Sequence, residues 1–184
     1  IDPLTNQAVN EIKAFKKKNE TDEIKITGNL ARLIQHQSSL DKKLELGASN
    51  ISYQLLNKIV NATGKVTLTQ KTNETIFFKI NGQNLTLQTK PYNQLNMSGA
   101  PLILIINSQD QAPMKATAEK ISYDQNTQIF EISGNVNLAT ERENISANKI
   151  IYNHQTRVLQ IPKSLDQQVE MTQTKSTIEK DTHD

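Results

Sequence analysis

The 184-residue chain contains no cysteine, which excludes disulfide bonds, thiolate metal sites and a cysteine nucleophile. It also lacks a long apolar run. The longest, residues 101–106, has the length of a strand and is far shorter than a membrane-spanning helix. Charge of one sign is not concentrated either, since the net charge is only +2. The sequence therefore lacks the basic face that is typical of nucleic-acid-binding proteins.

Residue combinations that carry catalysis or bind metals are missing as well. The three histidines, His36, His154 and His183, have no ligand spacing, and no nucleophile elbow or phosphate-cradling glycine loop occurs. Glu141 and Glu143 share a strand face, as any alternating solvated strand would allow. We therefore predict no catalytic residue, no metal site and no cofactor.

Four of the six glycines recur at a fixed period. Gly28, Gly64, Gly99 and Gly134 are separated by 36, 35 and 35 residues, and each follows Thr or Ser. A period of this size indicates one supersecondary unit that is stacked several times. Glycine inside a strand marks a bulge, a bend or a close backbone approach, so we expect every unit to bend at the same point.

A second series, Ala-x-x-Ile-x-Tyr, interleaves with the glycines. It occurs at residues 48–53, 118–123 and 147–152, and a weaker copy, Gly-x-x-Leu-x-Leu, spans 82–87. The three tyrosines thus occupy one place in three units. Two interpretations remain open for these tyrosines. They pack across neighbouring strands with the hydroxyl at the edge of the core, or they line an apolar groove that binds a ligand.

Between these motifs the pattern is strand-like throughout. Apolar and polar residues alternate over segments of about five residues, and polar turn sequences separate the segments. Only 35 % of the residues are apolar but they are placed regularly, which predicts a thin core. We expect an all-β protein of stacked antiparallel hairpins, folded over at the glycines so that two sheets face each other. The run 101–106 breaks the alternation and begins with Pro101, which favours an edge strand or a bulge.

The uniform period predicts a single domain over residues 6–166. Within it, residues 6–40 form a degenerate N-terminal unit, because Gly28 is in register but no Ala-x-x-Ile-x-Tyr precedes it. Residues 167–184 are polar and lack alternation, so we expect a frayed tail there.

Three segments resemble the LptA/OstA-like family of lipopolysaccharide-transport proteins: 118–124, 132–138 and 145–153. The resemblance extends over roughly residues 43–166 and includes 48–53, 62–70 and Gly99-Ala-Pro101. About forty residues with their own Gly28 unit precede the strand at which such proteins usually begin. Because of these additional residues, the resemblance leaves open which strand forms the docking edge.

The resemblance implies an open, slightly twisted β-jelly roll that holds the acyl chains of lipid A in its interior. It implies no enzyme activity and no cofactor. It also implies a periplasmic protein of Gram-negative outer-membrane biogenesis that stacks head to tail. Further implied partners are lipopolysaccharide itself and related jelly rolls of the inner- and outer-membrane transport complexes.

The resemblance places Leu44, Leu46, Leu104, Ile121 and Tyr123 in the lipid-binding groove, and Lys90 near a position that is often basic. The run around Leu104 is apolar in both phases, so Ile103 or Ile105 is the alternative inward residue. The repeated pattern completes the predicted groove with Ile51, Tyr53, Val66, Leu68, Leu85, Val136, Leu138 and Tyr152.

Three other interpretations stay open. The first is a structural or adhesive β-repeat protein without a lipid ligand. The second is the family's inner-membrane relative without its anchor helix. The third is an enzyme on a β-helix or jelly roll, which the lack of convergent carboxylates disfavours.

Overall fold

The computed structural model describes residues 13–15, 23–37, 42–73, 75–89, 93–108, 111–162 and 169–173. Within these ranges no helix is long and apolar enough to cross a membrane. The strands are β1 (Lys13–Phe15), β2 (Glu23–Gln37), β3 (Lys42–Gln54), β4 (Ile59–Thr72), β5 (Thr75–Gln88), β6 (Gln94–Ser108), β7 (Gln111–Asp124), β8 (Ile129–Ala139), β9 (Glu143–Asn153), β10 (Val158–Gln160) and β11 (Glu170–Gln173).

All eleven strands belong to one antiparallel sheet. Strands β1 to β10 pair in chain order, each with the next, and β11 returns to pair with β9. The sheet does not close into a barrel, because its path runs from β1 to β10 without joining those two strands. The expected all-β fold of stacked hairpins is confirmed.

The pairing register shifts at the same place in successive strands, and we call this row of bulges the bend line. In the even-numbered strands the shifts lie between residues 27 and 31, 63 and 66, 98 and 102, and 133 and 136. Each interval contains one of the four periodic glycines. The glycines therefore mark bulges, as the sequence predicts.

The bend line divides the strands into two layers. Layer A comprises the halves near 31–37, 42–47, 66–72, 75–81, 102–108, 111–117, 136–139 and 143–147. Layer B comprises 23–27, 50–54, 59–63, 84–88, 94–98, 120–124, 129–133 and 149–153. The hairpin turns lie at the ends of these halves, along the side opposite the bend line, which we call the turn-side margin.

The Ala-x-x-Ile-x-Tyr series also meets the bend line, in the odd-numbered strands. Its first residues, Ala48, Gly82, Ala118 and Ala147, lie at the register shifts of β3, β5, β7 and β9. The three alanines are buried, and a Cβ at position 82 would collide with the Leu102 side chain. Small residues recur here because the two layers are closest where they join.

The core is a single layer of inward side chains. In β8, for example, Phe130, Ile132, Val136 and Leu138 are buried, while the residues between them are half-buried or exposed. The same alternation recurs from β3 to β9. The core is therefore thin and extends along the whole stack, as the sparse but regular apolar residues predict.

Of the two alternatives predicted for residues 101–106, an edge strand or a bulge, the structure shows the bulge. Strand β6 lies between β5 and β7, and Pro101 falls within the register shift of β6, where its missing N–H does not interrupt the ladder. Leu104 is the inward residue and is buried, whereas Ile103 and Ile105 are half-buried on the outer face. Ile105 pairs with Lys79 and Lys115, whose aliphatic stems suit an apolar neighbour.

Both ends of the chain extend the sheet. Strand β2 pairs with β3 along both layers, and β1 pairs with the layer B half of β2. In the predicted tail, Glu170–Gln173 pair with β9 as β11, so the expectation of fraying does not hold for these four residues. Residues 1–12, Lys90 and His183 lie outside the described residues.

A charge network on the outer face ties β2 to the rest of layer A. The Glu45 carboxylate lies 3.0 Å from Arg32, 2.9 Å from Lys43 and 3.2 Å from Lys71. The pKa of Glu45 is lowered to about 2, and the hydrogen bond from Lys43 is the largest cause. Burial is the second-largest effect and opposes this shift, while the hydrogen bonds from Lys71 and Arg32 lower the pKa further. The network spans β2, β3 and β4, so it helps to anchor the additional N-terminal strand.

We expect Gly64→Ala to lower the free energy of unfolding by about 1–3 kcal/mol. Gly64 has φ +75°, and a Cβ there would lie 2.9 Å from the Ser49 hydroxyl oxygen. The adjacent exposed Lys65, with φ +49°, provides the control, because Lys65→Gly should change stability by only about 0.5 kcal/mol. Urea unfolding measures both, and equal effects would contradict the role of Gly64.

Candidate functional site: the space between the layers

The candidate site is the interior slot, by which we mean the inward faces of layers A and B. All thirteen predicted groove residues belong to this interior. Eleven of them are buried, and Tyr53 and Tyr152 are half-buried and pack against the core. The buried ones are Leu44, Leu46, Val66, Leu68, Leu104, Val136 and Leu138 in layer A and Ile51, Leu85, Ile121 and Tyr123 in layer B.

Side chains of the two layers contact each other across the slot through an aromatic bridge. Phe78 of layer A has its ring centroid 5.0 Å from that of Tyr123 and 5.3 Å from that of Phe130, both in layer B. Tyr123 and Phe130 pair across β7 and β8 and stack at 4.2 Å. Ligand entry here requires the layers to part, because these three residues are at most 1 % exposed.

The sequence prediction missed Phe78 and Phe130 as site residues, although their strands were recognised. The alternations Ile76-x-Phe78-x-Ile80 and Phe130-x-Ile132 place both rings on the same face as the predicted groove residues. Extending the period-2 pattern to every strand would have found them.

A second bulge brings another aromatic residue to the margin. The register of β4 and β5 shifts after the Gln70–Phe78 pair, so that Lys71 pairs with Ile76 and Phe77 is the extra residue. The Phe77 ring lies 5.4 Å from Phe78 and 4.1 Å from the imidazole of His154. Since Phe77 is in layer A and His154 follows the last layer B residue of β9, this contact joins the layers at the turn-side margin.

The surroundings of His154 favour the neutral form of its imidazole. Desolvation by burial lowers its pKa below the usual 6.5, and the positive charge of Arg157 lowers it further. Its Nδ1 is buried and meets no hydrogen-bond partner among the described residues. The Tyr152 ring centroid lies 6.1 Å from that of His154, and burial raises the pKa of the Tyr152 phenol. Burial, followed by the charge of Asp124, likewise raises the pKa of Tyr123.

The layer B turns form a continuous hydrogen-bonded row along the margin. The Thr89 N–H donates to the Lys58 carbonyl at 3.0 Å, and the Gln125 N–H donates to the Asn93 carbonyl at 3.1 Å. The His154 N–H donates to the Gln128 carbonyl at 3.0 Å. Each bond joins one turn to the next, so the edge of layer B is braced along the stack.

This interior offers apolar contact rather than chemistry. Within the described ranges, no group of three or more His, Asp or Glu side chains could hold a metal ion. The buried inward residues in the described part of the chain are aliphatic and aromatic, with Gln70 as the polar exception. Such a surface is suited to contact with hydrocarbon.

Comparisons with known proteins point in the same direction. A family model described as LptA/(LptD N-terminal domain) LPS transport protein matches residues 48–158, which is more than half of the chain. The crystal structure of LptH from Pseudomonas aeruginosa, described as the LptA-homologous periplasmic component of the lipopolysaccharide transport device, superposes with a TM-score of 0.63 at 16 % identity. The match covers 70 % of this chain and 93 % of LptH, and it shows the same fold. No curated protein matches significantly.

We expect the protein to lose stability as the pH falls through the range from about 6.5 to the lower pKa of folded His154. In this pH range the unfolded chain takes up a proton that the buried imidazole does not take up. Protonation therefore favours the unfolded state, and the full stability is present only above about pH 6.5. The loss should be smaller in His154→Gln, because glutamine takes up no proton in either the folded or the unfolded state. Urea unfolding at several pH values measures it, and identical profiles would contradict the burial of this imidazole.

Proposed function

Because the chain belongs to the LptA/LptD N-terminal domain family of lipopolysaccharide transport proteins, we propose that it binds the acyl chains of lipopolysaccharide in the interior slot. Members of this family are transport components rather than enzymes. The observation that carries the proposal is the combination of this family with an apolar interior between two layers that do not close into a barrel.

The energetics of transport suit such a slot. An acyl chain gains about 0.8 kcal/mol for each CH₂ that leaves water, so about ten buried CH₂ groups correspond to about 8 kcal/mol. The inward faces of both layers offer aliphatic contacts from β3 to β9. Because the same unit recurs along the stack, successive positions should bind an acyl chain with similar free energy. A lipid can then move from one position to the next without being held tightly at any of them.

The turn-side margin is the route of entry that we propose. The layers are covalently continuous at the bend line, whereas at the margin the aromatic bridge and the Phe77–His154 contact join them through side chains. Parting the margin exchanges these side-chain contacts for contacts with acyl chains. The sugars and phosphates of the lipid stay outside in water.

We further propose that the protein is periplasmic and forms part of a bridge between the inner and outer membranes. LptH, with which it shares its fold, is described as a periplasmic component. The proposed partners are other copies of this chain, stacked head to tail, and related jelly rolls of the inner- and outer-membrane transport complexes. The strands available for these joints are β2 with β1 at one pole and β9 with β10 and β11 at the other.

The test replaces Tyr123 with the photo-crosslinking residue p-benzoylphenylalanine in cells that make lipopolysaccharide. Tyr123 is 1 % exposed and faces the slot, so we expect it to capture lipopolysaccharide on irradiation. The matched control is the same substitution at Ser122, which is the next residue on β7 and points to the outer face. We expect no capture there.

Equal capture at both positions would contradict the interior slot. If neither position captures lipid, native mass spectrometry with and without lipid A decides between the proposal and a purely structural β-repeat. A structural repeat would show no added lipid mass.

A further inference from the structure

Among the described residues, Gln70 is a polar side chain that is more than nine-tenths buried on the inward face. Gln70 is the third inward residue of β4 in layer A, after Val66 and Leu68, and it is only 7 % exposed. Its neighbours across the sheet are Leu44 on β3 and Phe78 on β5, both buried. A carboxamide therefore sits within the slot, two residues from the end of β4 at the turn-side margin.

The carbonyl oxygen of this carboxamide is unsatisfied. No hydrogen-bond donor within the described part of the chain reaches the buried Gln70 Oε1. A buried acceptor without a donor is destabilising, and the great majority of buried polar atoms have a partner. Leucine or methionine would fill this position without the free-energy cost of an unpaired carbonyl oxygen. Packing alone therefore does not explain a glutamine here.

The surroundings favour a donor that arrives on a hydrocarbon. A buried water needs two to four polar partners, and the two cross-strand neighbours of Gln70 are apolar. A hydroxyl or amide N–H carried by an acyl chain satisfies the carbonyl while the chain itself contacts Leu44 and Phe78. Because Gln70 lies near the margin, such a donor must be close to the headgroup end of the chain.

We propose that Gln70 is a hydrogen-bonding subsite of the slot for lipids whose acyl part carries a donor near the headgroup, either a chain hydroxyl or the amide N–H that links chain to sugar. This inference rests on the proposed function. It adds that, among lipids of equal chain length, the slot binds those with such a hydrogen-bond donor more tightly.

Two pairs of probe lipids test the subsite with the full chain. The first pair, 3-hydroxytetradecanoic acid and tetradecanoic acid, differs by a hydroxyl. The second pair, N-tetradecylacetamide and tetradecyl acetate, differs by an amide N–H. We expect the wild-type protein to bind the donor-bearing member of at least one pair about two- to tenfold more tightly, the range that one net hydrogen bond supplies. The pair that shows the preference identifies the donor.

Gln70→Met should abolish the preference and leave the affinity for the lipid without a donor unchanged or higher. The matched control is Leu68→Met, the neighbouring inward position on β4, which should keep the wild-type ratio. Gln70→Leu serves as the second variant, and thermal unfolding checks that every protein is folded.

Equal affinity within both pairs in the wild-type protein would overturn the subsite while leaving lipid binding intact. A preference that survives in folded Gln70→Met would also overturn it. If none of the four lipids binds to the wild-type protein, the proposed function itself fails, and the subsite fails with it.

Discussion

The row of bulges at the bend line is the constraint on which the rest of the structure depends. A straight strand of 14 residues, such as β4, would span about 48 Å, and a sheet of such strands would expose its apolar face along the whole length. Bending every strand at the same point folds that face onto itself. Gly64 and Gly134 adopt positive φ values of 75° and 79°, and the inner side of the bend is lined by small residues such as Ala48 and Ala118. One recurring local feature thereby produces both layers and the interior between them.

The two layers are held together unequally, and this asymmetry links the fold to transport. Within each layer, backbone hydrogen bonds join neighbouring strands, and in layer B they continue through the turns. Between the layers, the contacts at the margin are made by the rings of Phe77, Phe78 and Tyr123 with their partners. Ring contacts are replaceable by acyl chains, whereas a broken strand ladder would leave unpaired backbone groups. The geometry favours opening at the margin with each layer intact.

Much of this fold was predictable from the sequence because it is repeated. The glycine period located the bulges of four strands, and the Ala-x-x-Ile-x-Tyr series supplied predicted groove residues, such as Ile121 and Tyr123, that lie on the inward face of the strands between them. Of the alternatives in the run that is apolar in both phases, Leu104 rather than Ile103 or Ile105 is the inward residue. The interior position of the other predicted groove residues follows from the same alternation, and their contact with lipid stays a prediction.

What escaped prediction depends on contacts between distant strands. The local sequence does not decide between an edge strand and a bulge for residues 101–106, because the pairing of Ile105 with Lys79 on β5 and with Lys115 on β7 is not a local feature. The extra residue Phe77 enters through a bulge that has no glycine to mark it. Gln70 occupies an inward position of an alternating strand. From the sequence alone, a glutamine there indicates that the apolar alternation ends, whereas the structure shows that its side chain is buried. The pairing of β11 with β9 joins segments about 25 residues apart across a polar stretch.

The most direct measurement of the central claim is the distance between the two ends of β4 with and without lipopolysaccharide. Spin labels at the exposed residues Asn57 and Asn73 report the separation of the layers, because β4 passes from layer B to layer A between them. We predict that this distance increases when lipopolysaccharide binds, while the distance between Asn57 and Thr156, both in layer B turns, stays the same. An unchanged Asn57–Asn73 distance in the lipid-bound protein would contradict the account.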